Sequence, residues 1–230
     1  MIPLEFSYLI GSLIFLAIWV VLYLLYPSLR KEMLITSIGI GFVSVATSYY
    51  WWSHDWWHPL TITGTRVGIE DFMSGFGSGG IMAIAYEGFF KKRYLKRRLK
   101  AHVPGASTLL LLMAFLTAWL FWGVGITSFL ASSIALLVVA IIMFLYRRDL
   151  FMNGVVSGLI MMVVALLPYY TIIFISPDWV ASTYNYNYLS GIHITGIPIE
   201  EFVFWFLAGL VFGPFYEYWQ GEKLVSAKRL

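Results

Sequence analysis

Seven apolar stretches of 17 to 25 residues follow one another along this chain with little between them. A helix rises 1.5 Å per residue, so each stretch is long enough to cross a hydrocarbon layer of roughly 30 Å. Such a layer holds no water for backbone N–H and C=O groups, so a spanning segment is a helix or part of a closed barrel. A barrel reads as alternating segments of about ten residues, and these stretches do not alternate. The expectation is an all-α, polytopic membrane protein. Its spans are Leu4–Tyr26, Met33–Trp51, Gly68–Phe90, Ala106–Trp122, Ile126–Tyr146, Phe151–Ile175 and Pro198–Trp219. A mean hydropathy of +0.80 and 60% hydrophobic residues exclude a soluble core. Met1–Glu5 lacks the basic region of a signal peptide, so the first stretch reads as a retained span.

The charges set the expected orientation. Seven spans put the termini on opposite sides. With the N-terminus outside, fourteen of the fifteen Lys and Arg residues fall inside: Arg30, Lys31, the 91–100 run, Arg147, Arg148 and the tail. Arg66 is the exception. Cytoplasmic loops carry such an excess, which predicts an integral plasma-membrane protein with a cytoplasmic C-terminus. The 91–100 run reads first as this topology signal, with attraction to anionic lipid headgroups as an addition. Its minimal aromatic interleaving speaks against nucleic acid. The chain has no cysteine, which excludes disulfides, thiolate nucleophiles and Cys-based metal sites.

Acids interrupt the apolar pattern twice in the same way. Glu70-Asp71 opens the third span after Thr63-Gly64, and Glu200-Glu201 opens the seventh after Thr195-Gly196. A Tyr-Glu pair lies near the far end of each, with 17 residues from Glu70 to Glu87 and 17 from Glu200 to Glu217. Matched spacings predict an internal duplication. Spans 1–3 (residues 4–90) and 5–7 (126–219) are two parallel three-helix repeats, and span 4 (106–122) is the inverter between them. This 3+1+3 plan has a pseudo-two-fold axis along the membrane normal. The single membrane domain then covers residues 1–230.

Ionisable groups in a membrane segment are functional candidates by default. Pro198 suits a helix start, and the two glutamates after it suit the positive end of the helix dipole. Simple capping is therefore the bland reading of the pair. Duplication on the symmetry-related span weighs against it. Neighbouring helical residues point about 100° apart, so one acid of each pair can face a central cleft while the other pairs with loop amides or His193. Glu70, Asp71, Glu200 and Glu201 are the catalytic candidates. Glu87 and Glu217 lie about 25 Å further along their helices and read as inner-interface residues, Glu87 with Lys91 four residues on. Gly75-Phe76-Gly77-Ser78-Gly79-Gly80 lacks a preceding strand and reads as close helix packing rather than a phosphate loop. There is no flavin or nicotinamide fingerprint.

Around Pro198-Ile199-Glu200-Glu201-Phe202-Val203-Phe204-Trp205 the chain resembles the membrane-integral lycopene cyclase domain family, whose members occur as tandem or heterodimeric carotenoid cyclases. Tyr184-Asn185-Tyr186-Asn187-Tyr188 resembles that family's Asn- and aromatic-bearing loop. The first copy departs, with Gly68 in place of the proline and Ser74-Gly75 in place of the aromatic pair. The resemblance implies an intramolecular lyase or isomerase that closes a β-type ring on an apolar isoprenoid polyene. No redox step, flavin, other cofactor or metal is implied. A neutral carboxylic acid protonates the terminal double bond, the next double bond attacks the cation, and a proton is lost. The polyene would lie against Phe202, Phe204, Trp205, Phe72 and Asn187. Lipid bilayer and polyene are the partners expected, with association between copies of the chain left open.

Two other classes compete. A small 3+1+3 transporter shares the span plan. A metal-dependent lipid hydrolase would use His54, His58 and His193 of the outer loops, beside Asp55, since zinc needs three or four ligands. A retinal protein is disfavoured because span 7 has no lysine.

Overall fold

The computed structural model describes residues 2–90, 92–96 and 104–226. The chain is mostly helical. α1 (Leu4–Leu25) ends in a 3-10 turn, Pro27–Leu29, that starts α2 (Arg30–Thr47). A π-helical turn, Ser48–Trp52, carries α2 into α3 (Ser53–Asp55). α4 (Ile69–Phe90) and β1 (Lys92–Lys96) follow. α5 (Ala106–Ala118) runs into a second π-helical turn, Trp119–Val124, which Gly125 ends with a φ of 80°. α6 (Ser128–Tyr146) and α7 (Phe151–Ile175) are joined by a 3-10 turn, Arg148–Leu150. α8 (Trp179–Thr183) and the hairpin of β2 (His193–Ile194) and β3 (Ile197–Pro198) lead to α9 (Ile199–Phe212), α10 (Phe215–Gln220) and β4 (Glu222–Ser226).

Six of these helical segments are long and apolar enough to cross a membrane, which agrees with a membrane protein. α4 is as long as α1 but richer in Gly, Ser and acid. Its place in the fold explains the difference. Thirteen of its 22 residues are buried, against two of the thirteen in α5. α4 is wedged between α1, α2 and α7, whereas α5 leans on α6 at the periphery. A helix covered by protein on most sides needs little lipid-facing apolar surface.

Helices in lipid gain little from apolar burial against one another, so close contact through small residues matters more. The glycines of α4 provide it. A Cβ on Gly75 would lie 2.5 Å from the Ser44 Cβ, and one on Gly79 2.7 Å from the Ile40 Cβ, both on α2. A Cβ on Gly77 would reach the Phe15 backbone of α1 at 2.9 Å. The Gly-rich stretch is thus a packing surface. α7 and α9 meet in the same manner through Gly158 and Gly209.

Two expected boundaries need correction. The seventh span is two helices rather than one. Pro214 has no N–H to donate and its ring clashes with the preceding turn, so α9 stops at Phe212 and α10 starts afresh. Pro198 is not the first helical residue but the N-cap, closing a tight hairpin. Thr195 and Gly196 both have positive φ there, 53° and 86°, as a two-residue type I′ turn requires.

The two ends of the bundle differ. At one end the polar loops interlock. The His58 N–H donates to the Thr183 carbonyl (2.7 Å) and the Asn185 N–H to that of Trp56 (3.2 Å). Asp55 caps α6, accepting from the Ser128 N–H (2.9 Å) and hydroxyl (2.5 Å). At the other end β1 pairs antiparallel with β4, Lys92 opposite Ser226. There Glu32 of α2, Glu87 of α4 and Glu217 of α10 come together, one oxygen of each within 4.8 Å of the others. Glu87 and Glu217 are thus neighbours of each other, with a third acid that the sequence reading did not single out. The expected Glu87–Lys91 pair, part of the 91–100 run and the last four residues lie outside the described residues.

Candidate functional site

The hairpin β2–β3 delivers α9 with both acids in its first turn, and the two side chains diverge. Glu200 turns back to the loop, where its Oε1 accepts from the Ser190 N–H at 2.6 Å. Glu201 turns inward, and its Oε2 accepts from the Tyr169 hydroxyl of α7. The Tyr169 hydroxyl is in turn 3.0 Å from that of Tyr184. Both glutamates are 4% exposed. Oε2 of Glu200 and Oε1 of Glu201 are buried without a hydrogen-bond partner.

The head of α4 repeats the division. Glu70 Oε1 accepts from the Ile62 loop N–H at 2.7 Å. Asp71 points into the bundle, its Oδ1 accepting from the hydroxyls of Tyr8 (3.1 Å) and Ser48 (2.7 Å). Its Oδ2 accepts from the Gly68 N–H at 2.9 Å. This last bond accounts for glycine at the head of α4 where the head of α9 has Pro198: a proline has no N–H to give. A Cβ on Gly68 would also lie 2.1 Å from Glu70 Oε2. The two heads therefore differ in one respect. All the polar capacity of Asp71 facing the bundle is taken, while Glu201 keeps one oxygen free.

Glu201 belongs to the wall of a cavity in the bundle. About 1140 Å³ of empty space, its open mouth included, lies between α1, α2, α4, α5, α6, α7 and α9. Its lining is mostly apolar and aromatic, with Phe15, Trp52, Phe204 and Trp205 prominent, Tyr8 also on the wall and Tyr169 bonded to the acid. Pro168 of α7 is also on the wall. Trp52 and Phe204 meet edge to face at 5.2 Å, and Phe15 and Trp205 pack tilted at 5.3 Å. Ring faces of this kind stabilise a cation.

Of the four acids singled out in the sequence, Glu201 alone lines the cavity; Glu70, Asp71 and Glu200 do not. The expectation of all four around one cavity is corrected by two causes: loop amides hold the first acid of each pair, and three donors hold the short Asp71 behind Tyr8. Phe204 and Trp205 are on the wall, but Phe202, Phe72 and Asn187 are not. Phe72 packs edge-on to Phe42 at 5.3 Å and over Gly41. Asn187 is exposed in a 3-10 turn that Asn185 caps. The sequence reading missed Tyr8, Tyr169 and Ser48, whose only signal is a hydroxyl in apolar surroundings, and named Tyr184 only as part of the Tyr184–Tyr188 loop. Tyr184 lies in the loop outside the spans, packed by Trp57 (5.5 Å) and Trp179 (6.3 Å). Burial first, then the negative charge of Glu201, pushes its phenol well above the usual value, so it remains a donor.

The histidines do not assemble a metal site. His54 Nδ1 is 2.6 Å from the Arg66 guanidinium, and its ring meets Phe121 and Trp122. His193 packs on Tyr186. Partial desolvation lowers the pKa of His58. Asp55 is occupied as a cap. Among the described residues the group close enough to share a cation is Glu32, Glu87 and Glu217, at the far end and without a histidine.

Residues 127–219 match the model of a family described as lycopene cyclase. The segment runs from the N-cap of α6 into α10 and contains the hairpin, both acids of α9, Tyr169 and Tyr184. The match therefore extends well beyond the Pro198–Trp205 motif. No curated protein and no solved structure matches the chain.

Proposed function

We propose that this protein is a carotenoid cyclase that closes a β-type ring on an acyclic isoprenoid polyene, with Glu201 as the acid. One observation carries the reading: in the family-matching segment, a buried carboxyl with one free oxygen forms part of an apolar, aromatic-lined cavity. The Glu201 O–H bond breaks as a C–H bond forms at the terminal double bond. The next double bond supplies the electron pair that closes the ring. The adjacent ring carbon then loses its proton to the Glu201 carboxylate, which regenerates the acid. No electrons leave the pair, so neither oxidant nor reductant is needed. In this reading Phe204, Trp205 and Trp52 face the cation, Asp71 balances it from behind Tyr8, and Glu70 and Glu200 hold the loops.

Expression in lycopene-accumulating cells, with chromatography of the pigments, tests the activity. A cyclised pigment, absent from cells with an empty vector, is the expected result. If lycopene alone persists while the protein accumulates in the membrane, the cyclase reading fails and vectorial uptake into liposomes becomes the next assay.

The same proposal takes α4 as a third span and α5 as the inverter, giving seven spans in a 3+1+3 plan with the N-terminus outside the plasma membrane. It is supported by the basic residues grouped away from the acid-headed ends, and by the matching 3-10 starts of α2 and α7. The chain has no cysteine of its own, so Ser182→Cys and Lys96→Cys can be labelled singly with an impermeant thiol reagent. Ser182→Cys should label from outside and Lys96→Cys only after the membrane is opened. Labelling of both from one side would refute the plan.

A further inference from the structure

Glu201 has two oxygens, and the reaction proposed above needs its proton on the one that makes no hydrogen bond. Tyr169 has a single O–H, and that O–H donates to Oε2. Tyr184, 3.0 Å from the Tyr169 oxygen, must then be the donor in that contact. The two phenols form a directed chain, Tyr184 to Tyr169 to Glu201. Each donation polarises the next, as in other buried hydrogen-bond chains. A neutral carboxyl accepts best at its carbonyl oxygen, so the oxygen bonded by Tyr169 is the one without the proton. The hydroxyl is left at Oε1, which has no protein partner.

We infer that Tyr169 and Tyr184 are positioning residues that fix which oxygen of Glu201 carries the transferable proton. The inference rests on the cyclase reading. Once the proton has gone to carbon, the Tyr169 bond becomes charge-assisted and strengthens, so it favours the transition state over the resting acid. Tyr184 acts one bond further back. Its place is set by both polar loops: an antiparallel bridge to Trp57 fixes its backbone, and Trp57 and Trp179 hold its ring edge-on. The first repeat thus buttresses the donor chain of the second. The far-end acids Glu32, Glu87 and Glu217 play no part in it.

Tyr169→Phe and Tyr184→Phe remove one hydroxyl each and keep the rings. Tyr169→Phe is expected to lower kcat by about 10- to 100-fold, the range of one charge-assisted hydrogen bond, with little change in KM. Tyr184→Phe should lose about 3- to 10-fold, as one neutral bond does. The double variant should be no slower than Tyr169→Phe, because Tyr184 acts through Tyr169. Infrared spectra of the purified protein give a readout that needs no turnover. The carboxylic C=O band that vanishes in Glu201→Gln should move to higher frequency in Tyr169→Phe, having lost its donor. Additive losses, a KM effect alone, or an unmoved C=O band would overturn the inference. If the unmutated protein forms no ring, the cyclase reading falls, and the infrared band still decides whether Tyr169 holds the carboxyl.

Discussion

Glutamine at position 201 should stop ring formation, and glutamine at position 200 should not. Glu201→Gln keeps the volume and the acceptor that Tyr169 uses, but leaves no acidic proton at the cavity wall. A positioned general acid contributes about 100- to 10,000-fold, so cyclised pigment should fall at least about 100-fold in lycopene-accumulating cells. Glu200 has another task. Its Oε1 holds the Ser190 N–H at 2.6 Å, and the carbonyl oxygen of a glutamine accepts the same bond. At most one hydrogen bond is weakened, so Glu200→Gln should retain activity within about tenfold of the parent. Both variants are compared at equal membrane protein, with melting in detergent as the check on folding. Full cyclisation in Glu201→Gln would remove that residue from the chemistry. Equal losses in the two variants would mean that the pair acts through the fold of the α9 head.

What could be read from the sequence follows from the solvent. In hydrocarbon, backbone bonding forces helices, so apolar runs give their lengths almost directly. Acids stand out against such runs, which is why the heads of α4 and α9 were readable as paired sites. Which acid of each pair faces inward was not readable, because helix rotation decides it, and rotation is set here by the Ile62 and Ser190 amides of the loops that lead into the helices. Tyr8 and Tyr169 carry no mark in the sequence, since tyrosines in membrane helices are common as interface anchors. Glu32 sits beside Arg30 and Lys31 and looks like part of a solvated turn; burial on α2 against Glu87 and Glu217 is a tertiary fact. The break at Gly213-Pro214 is of another kind. Proline states its own rule, and the long apolar run around it masked that signal.

Gly209→Leu should prevent α7 and α9 from docking. A Cβ on Gly209 would lie 2.7 Å from both the Gly158 Cα and the Ser157 carbonyl oxygen, and 2.9 Å from the Gly158 nitrogen. All three are main-chain atoms of α7, so no side chain can swing aside. The helices must separate, and overpacking of this kind destabilises by about 1–3 kcal/mol even when the surroundings relax. A leucine adds three more carbons at the same point. Separation has a second consequence, because Tyr169 lies on α7 and Glu201 on α9. Their hydrogen bond spans the interface that the glycines hold shut. Gly209→Leu should therefore lose the folded species on size-exclusion chromatography after mild heating, and cyclised pigment with it. Gly39→Leu is the control. It places the same side chain in the middle of α2, where a Cβ meets nothing within 4 Å, and exchanging glycine for a better helix former there should leave melting unchanged or slightly raised. A Gly209→Leu protein that melts with the parent would mean that α7 and α9 do not meet through Gly158 and Gly209, and that the donor chain to Glu201 depends on some other contact.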